Sequence, residues 1–404
     1  MIVQKYGGSS VADAVRVRRV AVRIAKACDA GLKPVVVLSA QGDTTDDLIK
    51  KAHELNEAPS RREMDVLLST GEQVSIALMA MTLQGMGYPC VSLTGMQAGI
   101  STSDEHRNAR VRKIDTQRIY RELERNNIVL VAGFQGMGSL GDITTLGRGG
   151  SDTTAVALAA ALGAKACEIY TDVDGVFTAD PRVVHGARKL DEVSYDEMLE
   201  LASLGAKVLH HRSVELAKKY NVNLKVLSSM EEGTGTSVRE VARVEHVMIS
   251  GLALDRDTAR IAVIGIKDAP GMAFRVFSLL SRQGISVDVI AQSSGSMGKK
   301  DISFTVERTD LREAMKLLEG NKDHLCCEHI SIDEDVCKLS IVGAGMVTTP
   351  GIATMMFEAL YDADIRIDTI TTSEIKISVL INSKDAERAA NAVHDKFFGD
   401  KAKV

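Results

Sequence analysis

The sequence lacks the cysteine pattern of a disulfide-stabilised or zinc-binding protein. No two of its six cysteines form a Cys-x-x-Cys pair, the spacing common in structural zinc sites. The adjacent histidines His210 and His211 are a poor metal site, because neighbouring helical side chains point in different directions. We therefore predict reduced thiols and no structural metal site. The cysteines are Cys28, Cys90, Cys167, Cys326, Cys327 and Cys337.

The chain also lacks a basic excess and a long apolar segment. Its formal net charge is -5 and its pI is near 6.0, whereas nucleic-acid-binding surfaces usually show as an excess of basic residues. No segment approaches the ~20 apolar residues that cross a membrane, and no basic stretch followed by an apolar one opens the chain. We expect a cytoplasmic protein that binds neither nucleic acid nor membrane.

Three familiar nucleotide-binding signatures are missing: a Walker loop, a Gly-x-Gly-x-x-Gly turn, and the His-Arg-Asp and Asp-Phe-Gly set of protein kinases. Two other glycine-rich loops are present, 5–10 (KYGGSS) and 147–154 (GRGGSDTT). The first follows the apolar run 1–3, as a strand would, and the second leads into a helix-forming stretch, 155–162. Each is compatible with an ordinary strand-to-helix turn. Together they indicate a phosphoryl-transfer site, because free N–H groups and a helix dipole attract phosphate.

The first part of the chain alternates β-branched runs with helical stretches, which predicts an α/β fold with a mostly parallel sheet. The predicted strands are 34–38, 128–131, 167–170 and 224–227. Loops 39–45, 133–136 and 171–175 follow three of these strands, so we expect them at one edge of the sheet. A polar segment, 228–236, is typical of a linker or an exposed turn, and we predict a domain boundary near it.

An internal repeat follows this boundary. Asp268-Ala269-Pro270-Gly271 matches Thr348-Thr349-Pro350-Gly351, 80 residues later, and similar apolar matches follow in both copies. Each copy is typical of a ferredoxin-like βαββαβ unit. The two units are either structural dimerisation modules or effector-binding domains. In the second case, the turn before the first helix offers N–H donors to a carboxylate, and Asp268 is placed to meet an amine.

Several charged residues have both a chemical and a structural interpretation. Lys5 is a candidate to stabilise a transferring phosphoryl group, or a solvated lysine at a strand end. Glu72 precedes a predicted helix, 74–81, where it either stabilises the helix start or pairs with the ammonium of an amino acid. Asp152 is either a helix cap or a group that orients magnesium or Lys5. The acidic loop 170–182 lacks EF-hand spacing, so a nucleotide platform is favoured over calcium.

Taken together, the two glycine loops, the Ser69-Thr70-Gly71-Glu72 turn, the 170–182 loop and Gly205-Ala206-Lys207-Val208-Leu209-His210 resemble the aspartokinases of the amino acid kinase family. The tandem repeat resembles the paired ACT domains of those enzymes. The resemblance implies a three-layer αβα catalytic domain at 1–230, a linker at 231–247, and ACT domains at 248–335 and 336–404. It covers essentially the whole chain. Two departures are Phe177, where tyrosine is frequent, and His211, where proline is common.

The resemblance implies transfer of the ATP γ-phosphate to the β-carboxylate of L-aspartate, with Mg²⁺. It implies that Arg148 holds the α-carboxylate of aspartate and that Glu72 holds its ammonium. The implied catalytic residues are Lys5, Gly8 and Asp152; the implied aspartate-binding residues are Ser39, Thr45, Glu72, Arg148 and Ser151. The implied ATP-binding residues are Lys5, Tyr6, Gly7, Gly8, Thr171, Asp172, Phe177, Asp180, Pro181, Arg182 and Lys207.

The resemblance further implies a monofunctional enzyme, a homo-oligomer or α2β2 assembly through the ACT domains, and feedback inhibition by lysine and threonine. Met248 is a candidate internal start for a separate regulatory subunit. The predicted effector site of the first copy comprises Asp268, Gly271, Met272, Ala273, Ile285, Val287 and Gln292. A second, unequal site is expected in the second copy, because Thr348 is the counterpart of Asp268 and Glu374 is the counterpart of Ser294. A catalytically silent amino-acid sensor and another amino acid kinase, such as a glutamate kinase, are the alternatives.

Overall fold

The computed structural model describes residues 1–205, 208–240, 249–293, 298–347 and 349–399. These residues form two compact units. The first unit takes the described residues of Met1–Phe177, Lys189–Ser203 and Lys207–Ala242. The second takes those of Thr178–Arg188, Leu204–Ala206 and Arg243–Val404.

The first unit is built on an α/β pattern, as predicted. Its strands are β1 (Ile2–Tyr6), β2 (Pro34–Leu38), β3 (Cys90–Leu93), β4 (Ile100–Thr102), β5 (Val111–Ile114), β6 (Ile128–Ala132), β7 (Gln135–Met137), β8 (Ile143–Thr145), β9 (Cys167–Thr171), β10 (Glu192–Val193), β11 (Leu224–Ser228) and β12 (Thr236–Val238). Its helices are α1 (Ala14–Asp29), α2 (Thr44–Leu55), α3 (Arg61–Gly85), α4 (Gln117–Glu124), α5 (Gly150–Leu162), α6 (Tyr195–Ser203) and α7 (His211–Tyr220).

Eight of these strands form one sheet in the order β10-β12-β11-β9-β1-β2-β6-β3. The pairs from β11 through β3 are parallel, and β12 runs antiparallel to β11. Helices α1 and α3 pack on the sheet through an apolar cluster, while α5 contacts β1, β2 and β9. All five residues of β2 are buried, as expected of a strand covered on both faces. The carboxyl ends of the parallel strands therefore share one edge. The small sheet β5-β4-β7-β8 completes the unit.

Two boundaries differ from the sequence prediction. Strand β1 extends to Tyr6 and so includes Lys5, whereas only 1–3 was predicted. Strand β12 pairs with β11, so 236–238 belong to the large sheet and the polar segment before them connects two antiparallel strands. This part of the predicted linker, 231–247, is therefore not a linker. Residues 241–247 and Met248 lie outside the described residues.

The second unit contains two four-stranded antiparallel sheets. Its strands are β13 (Gly251–Asp255), β14 (Thr258–Lys267), β15 (Ile290–Gln292), β16 (Lys299–Glu307), β17 (His329–Asp333), β18 (Val336–Val342), β19 (Ile367–Thr372) and β20 (Lys376–Asn382). Its helices are α8 (Met272–Arg282), α9 (Arg308–Gly320), α10 (Lys322–Leu325), α11 (Ile352–Asp362) and α12 (Ala386–Phe398).

One strand that precedes the first copy pairs with the sheet of the second copy. The first copy forms the sheet β15-β16-β14-β17, and the second forms β13-β18-β20-β19. Strand β13 precedes the first copy in sequence yet pairs with β18. The second copy ends on α12, so its fourth strand comes from upstream. The predicted contiguous first domain, 248–335, therefore differs from the observed pairing.

Candidate active site

The first glycine loop follows β1 directly. A side chain at Gly8 would place its Cβ 2.7 Å from the Ala40 carbonyl oxygen, so the loop approaches the end of β2 closely only because position 8 is glycine. The Gly7 N–H donates to the Tyr170 carbonyl at 3.3 Å. This N–H is therefore already used, and of the two predicted phosphate donors Gly8 is the better candidate.

Lys5 and Asp152 form an ion pair at the edge of the sheet. Lys5 Nζ lies 2.7 Å from Asp152 Oδ1, and the two side chains are only 12% and 11% exposed. Lys5 is thus not a solvated lysine. Asp152 lies in the first turn of α5, whose N-cap is Gly149, and no side chain caps this helix. The capping alternative for Asp152 is therefore wrong, and its carboxylate pairs with Lys5.

The second glycine loop joins β8 to α5. Gly147 and Gly149 have φ of +78° and +66°, a region that favours glycine. A Cβ on Gly149 would lie 2.2 Å from His210 Cβ and Cγ, so the imidazole of His210 packs directly on this turn. Burial lowers the pKa of His210, which favours the neutral ring beside Arg148 and Asp152. Arg148 itself is exposed.

Glu72 lies inside α3, far from its start. The helix begins at Arg61, with the Ser60 side chain accepting the Glu63 N–H, so the predicted helix-start role of Glu72 is wrong. The Ser-x-x-Glu spacing of Ser60 and Glu63 is the signal that would have found this start.

Helix α3 is long and apolar enough, by length and composition, to span a membrane. Half of its most apolar window is buried inside the protein. Sequence analysis missed this window.

The carboxylate of Glu72 is buried and half satisfied. The side chain is 3% exposed. Oε1 accepts the Ala40 N–H at 3.1 Å, while Oε2 has no hydrogen-bond partner among the described residues. Burial raises the pKa of Glu72 to about 7. Because Ala40 also contacts the Gly8 position, Glu72 and the first glycine loop meet at the carboxyl end of β2.

The remaining predicted aspartate-binding residues lie around the same edge. Half-buried Ser39 follows β2 and donates its N–H to the Tyr6 carbonyl at 3.1 Å. Thr45 is half-buried in the first turn of α2. Ser151 is buried in α5, and its Oγ lies 2.7 Å from where a Cβ on Gly133, after β6, would stand. The structure therefore brings the ends of β1, β2 and β6 together with the start of α5.

The predicted ATP-binding residues divide between the units. Thr171, Asp172 and Phe177 belong to the first unit, where Thr171 Oγ1 donates to Asp172 Oδ1 at 3.0 Å. Tyr6 is fully buried and stacks on Tyr170 with ring centroids 4.6 Å apart, so its ring is a core group. Residues 180–182 belong to the second unit, where Arg182 pairs with Asp180 at 2.8 Å. Lys207 lies outside the described residues.

Ser229 is a candidate that sequence analysis did not name, because it lies in the polar segment 228–236. It follows β11, and its N–H donates to the Thr171 carbonyl at 2.8 Å. Its Oγ is buried without a hydrogen-bond partner among the described residues. The signal was available, because β11 was itself predicted and ends at the same edge of the sheet as β9. No group of three or more potential metal ligands occurs in the described part of the chain.

In the second unit, the predicted turns have the expected backbone. Gly271 and Gly351 are the N-caps of α8 and α11, with φ of +88° and +94°. Of the predicted effector residues, Met272 and Ile285 are buried in the core of the first copy with Val287 partly buried, Gln292 is exposed, and Asp268 lies 3.1 Å from Lys300. Thr348 and Ser294 lie outside the described residues.

A cavity of about 340 Å³ lies in the second copy, at the start of α11 and the turn between β19 and β20. Its lining includes Thr349, Gly351, Ile352, Ser373 and Glu374. Glu374 is the residue that sequence analysis paired with Ser294 when it predicted an unequal effector site in each copy. Residues 294–297 of the first copy lie outside the described residues.

Comparison with known proteins agrees with these features. Residues 1–228 match the amino acid kinase family, and 261–321 and 339–397 match the ACT domain. The chain is 50% identical to an aspartokinase of Geobacillus stearothermophilus over 398 residues, covering 98% of this chain and 97% of the relative.

Two solved structures of E. coli aspartokinase III are similar in fold. The complex with aspartate and ADP, an R-state, superposes with a TM-score of 0.81 at 26% identity, covering 98% of this chain and 100% of that one. The complex with lysine and aspartate, a T-state, gives 0.76 at 27% identity, covering 98% and 99%. The chain therefore belongs to the amino acid kinase family and, within it, to the aspartokinases with C-terminal ACT domains, which are aspartate kinases (EC 2.7.2.4).

Proposed function

We propose that this enzyme transfers the γ-phosphate of ATP to the β-carboxylate of L-aspartate, giving 4-phospho-L-aspartate, as a monofunctional cytoplasmic kinase. The observation that carries the site assignment is the unpartnered Oε2 of Glu72, a buried carboxylate oxygen at the sheet edge where the first glycine loop begins. Burying such an oxygen without a donor costs about 1–3 kcal/mol. An arriving ammonium group would satisfy it.

The charged groups have different roles toward the two substrates. Glu72 holds the ammonium and Arg148 the α-carboxylate, while Ser39, Thr45 and Ser151 offer hydroxyl donors. Lys5, oriented by Asp152, neutralises charge on the transferring phosphoryl group, which is the main demand of phosphoryl transfer. ATP enters with Mg²⁺. Magnesium commonly uses one or two carboxylates with the substrate phosphates, so a ready-made cage of protein ligands is not required.

ADP release is the assay that tests this proposal. Aspartate should be phosphorylated, whereas glutamate and succinate should give little product, since succinate lacks the ammonium that Glu72 would bind. Arg148→Ala should raise the KM for aspartate strongly, by roughly 30-fold or more, because a charge-assisted hydrogen bond to the substrate is removed. Arg148→Lys, which keeps the charge without the bidentate geometry, is the matched control and should fall between. An unchanged aspartate KM in Arg148→Ala would place the substrate carboxylate elsewhere.

Regulation by end-product amino acids is the second part of the proposal. The E. coli relative was crystallised with lysine, and we propose lysine and threonine as effectors here. Two unequal sites support two ligands. The first-copy site would use Asp268, Gly271, Ala273 and Gln292. In the second copy, the cavity offers N–H groups at the start of α11 for a carboxylate and Glu374 for an ammonium.

Assembly through the ACT sheets is the last part. Ile290 on β15 and Ile370 on β19 occupy equivalent positions of the two copies, on edge strands, and are 52% and 50% exposed. Exposed edge strands invite pairing with another chain. We propose a homodimer or larger oligomer through these edges, or an α2β2 assembly. Sedimentation velocity of Ile290→Lys with Ile370→Lys tests it, and an unchanged sedimentation coefficient would argue against these edges.

A further inference from the structure

Asp65 is a buried carboxylate for which the proposed chemistry has no use. It lies on α3, seven residues before Glu72, which is about two helical turns. Its side chain has no exposed surface. A buried charge is costly unless hydrogen bonds compensate for it, so its surroundings explain why it is kept.

The carboxylate of Asp65 accepts hydrogen bonds from two segments outside its helix. The Arg107 N–H lies 3.1 and 3.0 Å from the two oxygens, and His106 Nδ1 lies 2.9 Å from Oδ2. From β8, Thr145 donates both its N–H, at 3.1 Å, and its hydroxyl, at 2.6 Å. Asp65 therefore joins α3 to the 106–107 turn and to the end of β8.

Two of the residues that donate to Asp65 also lie against or next to the second glycine loop. Arg107 has φ of +69°, which a non-glycine residue adopts only where its surroundings hold it. The Arg107 carbonyl oxygen lies 2.8 Å from the position a Cβ on Gly147 would take, so the turn packs against the residue just before Arg148. Thr145 lies three residues before Arg148 on the same strand and loop.

We propose that Asp65 is a positioning residue that sets the spacing between Glu72 and Arg148, and so adapts the site to a substrate with an ammonium and a carboxylate on one carbon. The inference rests on the proposed roles of those two residues. Glu72 moves with α3, while Arg148 follows the β8 loop. A link between the two is needed because displacement of a binding group by about 1 Å can cost a hundredfold in rate.

Asp65→Asn tests this proposal, since it keeps the shape and removes the charge that accepts four donor groups. We expect the KM for aspartate to rise roughly 10- to 100-fold, with the KM for ATP changed less than about threefold. The matched control is Asp104→Asn. Asp104 is a surface carboxylate near the same turn, and it accepts hydrogen bonds from the N–H and hydroxyl of Ser139, which does not lie on α3. This variant should leave both constants near the parent values. An unchanged aspartate KM in folded Asp65→Asn would overturn the proposal.

A milder pair covers the case in which Asp65→Asn does not fold. Thr145→Val removes only the 2.6 Å hydroxyl donor, whereas Thr145→Ser retains it. Thr145→Val should raise the aspartate KM about three- to tenfold, with Thr145→Ser close to the parent. Equal aspartate KM values in the two variants would overturn the proposal. An equal rise in the aspartate and ATP constants would do the same, because it would indicate a general loss of structure.

A double-mutant cycle separates this inference from the function on which it rests. If Asp65 acts by positioning Arg148 relative to Glu72, Asp65→Asn should raise the aspartate KM much less in an Arg148→Ala background than in the parent. Full additivity would overturn the positioning role while leaving the pocket assignment intact. An Arg148→Ala variant with parental aspartate KM would instead remove the pocket assignment itself.

Discussion

In the first unit, buried polar atoms stay unpaired at the edge of the sheet, as Glu72 Oε2 and Ser229 Oγ do, whereas buried polar groups of the second unit are mostly paired with each other. Ser383 Oγ is the exception in the described part of the second unit. An unpaired buried group costs about 1–3 kcal/mol, so several of them at one sheet edge support our proposal that a ligand binds there. Examples of paired groups in the second unit are buried Lys338 with the more exposed Asp255 and Asp288, Ser340 with Ser378, and Thr178 with His394.

This contrast predicts that substitutions in the two units fail differently. At the edge of the first sheet, they should change kinetic constants with little loss of stability, because they remove few hydrogen bonds within the protein. In the second unit, they should change stability or effector response and leave basal turnover near normal.

The largest effect is expected for Lys5→Ala. Turnover should fall by about a thousandfold or more, with a modest change in aspartate KM, since the ammonium acts where phosphate charge redistributes. Steady-state kinetics with both substrates varied would measure this. Asp152→Asn is the companion variant and should lower turnover less, because Lys5 remains but loses its 2.7 Å partner. Near-normal turnover in Lys5→Ala would remove it from the reaction.

The next effect is a pH dependence that comes from Glu72. Its pKa is raised to about 7 by burial, so the carboxylate is increasingly protonated as pH falls below 7. Only the charged form pairs with an ammonium. The kcat/KM for aspartate should therefore fall up to about tenfold per pH unit below 7 and level off above it.

Glu72→Gln is the control for that profile. Its kcat/KM for aspartate should be low and nearly flat between pH 6 and 8, because the titrating group is gone. In the parent enzyme, the kcat/KM for ATP measured at saturating aspartate should not fall below pH 7 in this way. The bound ammonium of aspartate keeps Glu72 ionised. The same steep profile in Glu72→Gln would assign the titration to another group.

How far the sequence predicts this structure depends on the range of the interactions involved. Runs of buried β-branched residues predicted β2, β6, β9 and β11 within a residue, because each run matches a strand covered on both faces. The 80-residue offset likewise predicted both Pro-Gly turns. The pairing of β13 with the second copy's sheet was not predictable, because no residue in 251–255 indicates which strand it pairs with.

The candidate site shows the same limit. Glycine loops and isolated charges predicted Lys5, Glu72, Arg148 and Asp152 as candidates, and they offered the pairing of Asp152 with Lys5 as one of two alternatives. They did not predict that Glu72 keeps one oxygen unpaired. Asp65 carries no local signal at all, since its donors lie 41 to 80 residues away along the chain. Such a residue becomes visible only when the packing of α3 is known.

In the second unit, an effector experiment distinguishes the two copies. With lysine and threonine present, Glu374→Gln and Asp268→Ala should each raise the half-inhibitory concentration about 10- to 150-fold, because each removes a hydrogen bond to the charged ammonium of an effector. Basal turnover should stay near the parent value. Glu358→Gln is the matched control, because Glu358 pairs with Lys396 and is not part of the cavity lining. Full activity of the parent with both amino acids would end the regulatory proposal.

The smallest effect is expected at His394, where the paired character of the second unit is tested most directly. His394 is 2% exposed, and its Nε2 lies 2.9 Å from Thr178 Oγ1, which also accepts the Arg188 N–H at 2.9 Å. Either Thr178 Oγ1 or Nε2 donates in this hydrogen bond, depending on the tautomer of the ring. Burial lowers the pKa of His394 below its ordinary value of 6.5.

The sign of the resulting pH dependence is fixed by that direction. Below about pH 6.5 the unfolded chain binds a proton that the folded chain does not, so His394 destabilises the fold progressively as pH falls. His394→Phe should remove this part of the pH dependence. At pH 8 it should lower the free energy of unfolding by about 1–3 kcal/mol, since Thr178 loses its hydrogen-bond partner. Thermal unfolding from pH 5.5 to 8 measures both effects, with Thr178→Val as the partner variant. If His394→Phe kept the parent's pH slope, another group would be responsible for it, and a large fall in turnover would contradict the division between the two units.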